Sequence, residues 1–494
     1  MLVQHLLEAV RRFPHKPAAN DPTRRLTYAQ LTTLAQAMRR LVLKETGCPR
    51  LGVLLPGSVG GLGTLLGTLW AGKTIVPLNF LLPPRELAAV IDDARIDLVI
   101  TTEHFKALMD QVPIRCLYLE RLHLKRRYLR AKLTRTPEPP STSPDDLAAI
   151  VYTSGTTATP KGVCLTYNNL LSNSTAAIEH MRLTPEHHLL GVLPPFHVFG
   201  LTVLNVIPIV LGATTTYIPR FSPQAAYHAI ATEDISLLIA VPSMYAAIAR
   251  LKSLDASKCQ CIKLAASGGE PLPRTVYEQM YERTGVRLME GYGLTETSPV
   301  ISCDMPPTHR VGTVGRPLPG VQTQARDETG QPVSAGQEGE LFVRGPLVMK
   351  GYFHRPDETA AVIDADGWFR TGDIVRIDDE GYVSITGRAK DLIIVGGENV
   401  YPREVEAVLE QHPAVADAAV IGRQDGSRGE VVVGFVSLHE GADATGDKLR
   451  HFCRDQLAGY KVPRQIHVRP DLPRGPTGKV IKRQLKALLA GSEA

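Results

Sequence analysis

Lys479 stands in the run Pro-Arg-Gly-Pro-Thr-Gly-Lys at 473–479, close to the end of a 494-residue chain. The glycine-proline run predicts a turn, and Val480, Ile481, Lys482 and Arg483 predict the start of a helix after it. A turn would hold one ammonium at a tip, where a compact charge with three rotatable donors can bridge two oxyanions. Taken alone, it is more simply a solvated tail lysine. Three other clusters change that reading. Thr153-Ser154-Gly155-Thr156-Thr157-Ala158-Thr159-Pro160-Lys161-Gly162 follows an apolar run at 148–152. Glycine lets backbone amides approach an anion, and hydroxyls with one ammonium add donors, which is phosphate-cradling chemistry. The order differs from the Walker pattern.

Gly291-Tyr292-Gly293-Leu294-Thr295-Glu296 offers an aromatic face for a base, a hydroxyl for a phosphate and a carboxylate for magnesium. Mg²⁺ takes one or two carboxylates together with substrate phosphates. Gly367-Trp368-Phe369-Arg370-Thr371-Gly372-Asp373 ends in an acid suited to paired ribose hydroxyls. Each of these runs, read singly, is also a turn around a buried aromatic.

Elements must position these groups. Short apolar runs at 51–55, 98–100, 148–152, 237–240 and 263–266 alternate with longer mixed segments, which predicts α/β units with buried strands. From about residue 306, short strands at 339–344 and 382–386 sit between turn signals at 364–367 and 378–381, a β-rich subdomain. A last boundary is expected at 388/389: residues 1–388 form a large domain and 389–494 a smaller α+β unit. In the latter, Pro402 with Glu404 and Glu406 opens a helix and 430–437 reads as a strand. The length itself requires more than one domain. The uncharged stretch 51–71 imitates a membrane span, but Pro56-Gly57-Ser58 cuts it into strand, turn and buried helix.

A formal charge of +5 on a chain this large favours anionic ligands and gives no argument for nucleic acid. Seven scattered cysteines fit a reducing compartment, and the isolated Cys259/Cys261 pair lacks the four ligands of a zinc site. The N-terminal residues have helical periodicity without a signal-peptide core, so a cytoplasmic location is expected. Residues 117–135 mix leucines with seven cations. A basic amphipathic helix there could lie on the inner face of an anionic membrane or dock an acidic partner, and the plain alternative is a solvated surface helix or loop before the proline-rich linker 137–144.

These motifs, in this order, resemble the adenylate-forming superfamily of acyl-CoA synthetases, aryl-CoA ligases, luciferases and peptide-synthetase adenylation domains. Also matching are Pro195-Phe196-His197, Ser267-Gly268-Gly269-Glu270 and Gly387-Arg388-Ala389-Lys390-Asp391. The resemblance covers nearly the whole chain and implies ATP, Mg²⁺ and CoA as cofactors. By it, Thr153, Ser154, Gly155, Thr156, Thr157 and Lys161 hold the ATP phosphates. Tyr292, with Gly291, Gly293 and the Gly268, Gly269, Glu270 segment, flanks adenine. Thr295 meets the α-phosphate, Glu296 binds Mg²⁺, and Asp373 and Arg388 fix the ribose. Lys479 bridges the substrate carboxylate and the α-phosphate, and His197 joins the catalytic set.

The resemblance further implies a mobile small domain. It turns about Lys390 between two half-reactions, withdrawing Lys479 and bringing Gly396 and Gly397 to a pantetheine tunnel. Ala158 departs from the glycine that many relatives carry in the phosphate loop; its methyl group stiffens or strains the loop according to φ.

Phe199, Val241, Ser243, Val300, Gly268 and Gly291 are the implied lining of the acid pocket. They are small or apolar, and the buried acid needed to pair an amino group is absent. The expected reaction is therefore activation of a medium- or long-chain fatty acid to acyl-AMP, then thioester formation with CoA. Rival readings are an acyl carrier protein as acceptor, an aryl acid as substrate, or a non-catalytic nucleotide-binding regulator. The intact Lys479 and Glu296 argue against the last.

Overall fold

The structure, a computed structural model, describes residues 1–153, 160–396, 398–425, 429–474 and 480–491. A large N-terminal α/β domain is built on two mainly parallel sheets. One has seven strands, in the order Gly351–Tyr352, Lys161–Thr166, Leu147–Thr153, Thr74–Pro77, Arg50–Leu54, Leu98–Thr101, Arg115–Tyr118. The other has nine, with Val300–Cys303, Leu288–Gly293, Leu264–Ser267 and Leu237–Ala240 consecutive near one edge. Parallel strands are covered on both faces, which is why these runs are continuously apolar instead of alternating.

The uncharged stretch resolves into the strand Arg50–Leu54 and the helix Val59–Trp70, whose start is capped by Ser58 Oγ accepting from the Gly61 amide at 3.0 Å. Its glycines serve contact with the helix Tyr28–Glu45. A methyl group at Gly63 would stand 2.6 Å from Leu34 Cδ2, and one at Gly67 2.5 Å from Met38 Cβ. Overfilling such a contact costs roughly 1–3 kcal/mol, so the run is composed for helix–helix approach. No helix among the described residues is long and apolar enough to cross a membrane.

The β-rich subdomain is a four-stranded antiparallel sheet, Gln322–Arg326, Glu338–Arg344, Phe369–Ile377 and Val383–Arg388. The small C-terminal domain carries its own sheet, with Ile393–Val395, Gly429–Leu438 and Val415–Asp425 at its centre. Its core gathers Val400, Val405, Leu409, Val432 and Leu449. Pro402 is the first residue of the helix Pro402–Leu409, where its missing N–H removes nothing. Tyr401, just before it, lies on Gly387 of the large domain. A methyl group there would come 2.8 Å from Tyr401 Cδ1, so the glycine permits the two domains to touch.

The basic stretch is less helical than its composition suggests. Leu117 pairs with Ile100 in the edge strand Arg115–Tyr118, and the helix spans only Leu124–Lys132. Pairing to an open sheet edge outweighs the leucine periodicity in its first residues.

Candidate active site

The strand Leu288–Gly293 delivers the Gly-Tyr-Gly-Leu-Thr-Glu motif to the carboxyl end of the nine-stranded sheet, where ligands of open α/β sheets bind. The chain then doubles back. A methyl group at Gly293 would lie 1.9 Å from the Pro299 carbonyl oxygen, so only glycine permits this approach. Ser298 has φ +71, an uncommon left-handed conformation for a residue with a side chain. It is held by Ser298 Oγ donating to Leu347 O at 2.8 Å and by Thr202 Oγ1 donating to Ser298 O at 3.0 Å. Thr295 and Glu296 are thereby presented half-buried on the turn Thr295–Thr297.

Tyr292, Asp373 and Arg388 converge from three strands. Tyr292 Oη donates to Asp373 Oδ2 at 2.5 Å, and Arg388 Nε lies 2.8 Å from Asp373 Oδ1, the two residues facing each other across paired strands. Burial first, then the neighbouring carboxylate, pushes the Tyr292 phenol well above its ordinary pKa, so it stays a neutral donor. An ionised carboxylate has about four acceptor sites. With one partner on each oxygen, Asp373 keeps capacity for two further donors, the number a ribose diol supplies. The donor set therefore fits a nucleotide.

A second constellation surrounds Glu296. Tyr352 Oη donates to Glu296 Oε1 at 2.9 Å, and Lys161 Nζ stands 5.2 Å from the centre of the same tyrosine ring. Lys161 is ion-paired with Glu358, which Arg355 also holds at 2.8 Å. Thr153 and Lys161 face each other in the register of two antiparallel strands. Lys161 and Glu296 thus share one neighbour, Tyr352. One carboxylate close to an ammonium is a set that could hold magnesium together with substrate phosphates. Ser154, Gly155, Thr156 and Thr157 lie outside the described residues, as do Gly397 and Lys479.

Gly268, Gly269 and Glu270 follow the strand Leu264–Ser267, adjacent to Gly291. A methyl group at Gly268 would meet Phe199 Cζ at 3.0 Å and the Gly291 carbonyl oxygen at 3.3 Å, and one at Gly269 would meet Val241 Cγ1 at 3.6 Å. Phe199, Val241 and the glycine pair therefore form one apolar group. Val300 pairs with Gly293 in the adjacent strand, where Asn173 donates to its carbonyl at 2.7 Å. Ser243 is exposed at the first turn of the helix Pro242–Ala249. His197 caps the helix Val198–Leu201, its ring 4.5 Å from that of Phe196, which in turn meets Phe80 edge-on at 4.8 Å.

Lys390 sits in the turn Ala389–Asp391, directly after the strand Val383–Arg388. Burial, then the Arg388 charge, lowers its pKa. Gly396, with φ +62 and open space around it, follows the strand Ile393–Val395 at the turn before Glu398–Val400. Arg474 and Val480 form an antiparallel bridge, Arg474 is ion-paired with Asp417, and Lys482 with Glu406 at 2.8 Å.

Two partners of the site carried no usable signal in the sequence. Tyr352 lies in a Gly-Tyr-Phe-His-Arg-Pro run without diagnostic spacing. Glu290, directly before the motif, is pushed up to about 7 by burial while its Oε1 accepts from the Leu272 amide at 3.0 Å.

Comparison with known proteins agrees with this geometry. Residues 6–353 match the AMP-binding enzyme family, and residues 404–479 match the AMP-binding enzyme C-terminal domain. The chain belongs to the AMP-binding enzyme family. It is an adenylate-forming acid–CoA ligase, whose cofactors are ATP, Mg²⁺ and CoA. A long-chain-fatty-acid–CoA ligase of Bacillus subtilis strain 168 is 33% identical over 97% of this chain and 93% of its own. A feruloyl-CoA synthase of Amycolatopsis sp is 34% identical over 96% of each chain. Among solved structures, ATP-bound MatB from Rhodopseudomonas palustris is 32% identical over 99% of both chains, with a TM-score of 0.90. Apo MatB, 32% identical over 99% of this chain and 98% of its own, gives 0.82.

Proposed function

We propose that the chain activates a medium- or long-chain fatty acid in the cytoplasm and transfers it to CoA. The observation that carries this reading is the apolar group of Phe199, Val241, Val300 and the Gly268–Gly269 pair, which offers no charge to a second carboxylate or an ammonium. The Bacillus relative points the same way. The feruloyl-CoA synthase relative supports a second reading, an aryl acid in the same pocket, since a flat apolar slot serves a ring as well.

The chemistry assigns each residue a task. In the first half-reaction a carboxylate oxygen attacks the α-phosphorus, and the bond to pyrophosphate breaks. Both reactants are anionic, so Lys479 is placed between them, where negative charge gathers. Thr295 meets the α-phosphate, Glu296 holds Mg²⁺, Tyr292 stacks on adenine against Gly268–Glu270, and Asp373 with Arg388 takes the ribose. Thr153 to Thr157 and Lys161 hold the phosphates, which requires Lys161 to leave Glu358. In the second half-reaction the CoA sulfur attacks the acyl carbonyl and AMP leaves. The domains divide at 388/389, and the small domain turns about Lys390, bringing Gly396 and Gly397 to the thiol. The better superposition on ATP-bound than on apo MatB supports reading the present arrangement as the one for adenylation.

The test is pyrophosphate release with Mg²⁺ and ATP across fatty, aryl and amino acids, followed by AMP and thioester formation on adding CoA. Turnover of C8–C18 acids that requires CoA is expected. Preference for cinnamic-type acids would assign the aryl reading, adenylate without CoA turnover a carrier-protein acceptor, and no release with any acid a regulatory role.

A further inference from the structure

The helix Leu124–Lys132 takes no part in the site. One side of it faces the helix Tyr28–Glu45: Ala131 is buried, and Gln36 and Arg40 of that helix donate to Thr136 and Thr134. The outward side is composed differently. Lys125, Arg126, Arg130, Lys132 and Arg135 are all exposed, and no acid occurs between Glu120 and Glu138. Among the described residues none of these five has a carboxylate partner, whereas Arg121, just before them, is neutralised by Glu103. Between the cations, Leu129 is 59% exposed and Leu133, at the C-terminal cap of the helix, 87%. The Leu133 amide still bonds to the Leu129 carbonyl at 3.3 Å, so the two side chains are neighbours at the end of the helix.

Each half of this surface is unfavourable in water by itself. Five cations on a short segment repel one another, and two neighbouring leucines keep apolar area wet. Both are relieved at one kind of boundary, an anionic bilayer, where the leucines enter the acyl margin and the cations remain among the phosphates. An acidic protein would satisfy the cations but would also need a pocket for the leucines, which stand rimmed by charge along the helix as in interfacial helices. We propose that this face docks the protein peripherally on an anionic phospholipid surface. Two leucines bury too little area for stable anchoring, so the contact is reversible and depends on both charge and apolar insertion. The proposal goes beyond the substrate reading and is independent of it, because binding is read without acid, ATP or CoA.

The experiment is co-sedimentation of the full chain with phosphatidylcholine vesicles and with vesicles mixing phosphatidylcholine and phosphatidylglycerol. Partition into the anionic vesicles alone is expected, weakening as salt rises. Each cation near such a surface contributes roughly fivefold to partitioning, so Arg126→Gln with Arg130→Gln should lower it roughly thirtyfold. Leu129→Ser with Leu133→Ser should lower it at every salt concentration while keeping the salt dependence. Thermal melting checks that both variants remain folded. Equal binding to neutral vesicles, no binding to either, or unchanged partition of both variants overturns the proposal. Binding of a purified acyl carrier protein without vesicle partition would do so as well, and would assign the face to a protein.

Discussion

Glu406 Oε1 lies 2.8 Å from Lys482 Nζ and 2.8 Å from the Val420 amide nitrogen, joining the last helix of the chain to the first helix of the small domain. On the other side of residues 475–479, Arg474 is paired with Asp417. The segment that contains Lys479 is thus flanked by two ion pairs on one domain. Glu406→Gln keeps an acceptor for Val420 but leaves Lys482 without its counter-charge. Opening a largely buried pair from one side should cost about 1–3 kcal/mol. Pyrophosphate–ATP exchange should fall more than thioester formation from a supplied acyl-adenylate. An equal fall in both would mean that the pair stabilises the domain without positioning the segment.

Lys479 itself gives the sharper form of that test. Lys479→Ala should abolish adenylate formation and leave thioester formation from supplied acyl-adenylate largely intact. Lys479→Arg should restore only part of the rate, because the planar guanidinium is larger and its donors are fixed in a fork. Single-turnover assays of each half-reaction decide this, and matched losses in both would remove the two-conformation assignment.

Tyr352 reaches Glu296 from a strand of the other sheet, and Tyr352→Phe deletes one hydrogen bond while keeping the ring under Lys161. A hydrogen bond to a carboxylate contributes about 1.5–3 kcal/mol, part of which water replaces at a half-buried site. The expected result is a roughly tenfold higher Mg²⁺ concentration for half-maximal rate, with the KM for the acid little changed. A shift in acid KM alone would place Tyr352 at the pocket instead.

What the sequence made legible and what it did not divide along physical lines. Tyr292 and Asp373 stood out because each lies in a glycine-punctuated run whose local chemistry is readable, although they are 81 residues apart, whereas Arg388 was marked only by the family resemblance. Tyr352 and Glu296 are 56 apart, and the tyrosine has no marked neighbours, so only the meeting of two sheets reveals the contact. The strands Leu237–Ala240 and Leu264–Ser267 were readable from the short apolar runs at 237–240 and 263–266, the second offset by one residue. Residues 117–135 misled because leucine spacing cannot tell a helix from an edge strand when the sheet offers Leu117 a partner. Substrate identity was least legible: Phe199, Val241 and Gly268 come from three separate segments, and their joint shape is a tertiary property.

Glu290 makes stability depend on pH. Its carboxyl is raised from an ordinary value near 4.5 to about 7, chiefly by burial, with Arg403 of the small domain pulling the other way. Between those two values the folded chain holds a proton that the unfolded chain releases, so this group's contribution favours folding at low pH. It is lost as pH rises from about 4.5 through 7. Glu290→Gln removes the ionisation and keeps an acceptor for the Leu272 amide. It should match the parent at pH 4 and exceed it by about 1–2 kcal/mol at pH 8, less than the full shift because the site is only half-buried. Denaturant melts at the two pH values test this, and a stability difference of the same size at both would mean that packing, not charge, sets the effect.

Gly268 lies between Phe199 and Gly291, and a methyl group added there would meet both. At 3.0 Å from Phe199 Cζ, a new Cβ is closer than carbon atoms ordinarily approach, so the ring must move by a few tenths of an ångström. Its contact with the Gly291 carbonyl oxygen, at 3.3 Å, is milder. Phe199 is a side chain and can yield, whereas Gly291 belongs to a paired strand, so the displacement falls on the acid pocket. A change of about one methylene in an apolar pocket alters discrimination by roughly 10–200-fold. Gly268→Ala should therefore reduce kcat/KM for a C16 acid roughly tenfold relative to a C8 acid, at the low end of that range, while the KM for ATP moves little. A uniform loss across chain lengths with a raised ATP KM would show that the methyl group meets adenine first. The pocket assignment of Phe199 would then have to be withdrawn.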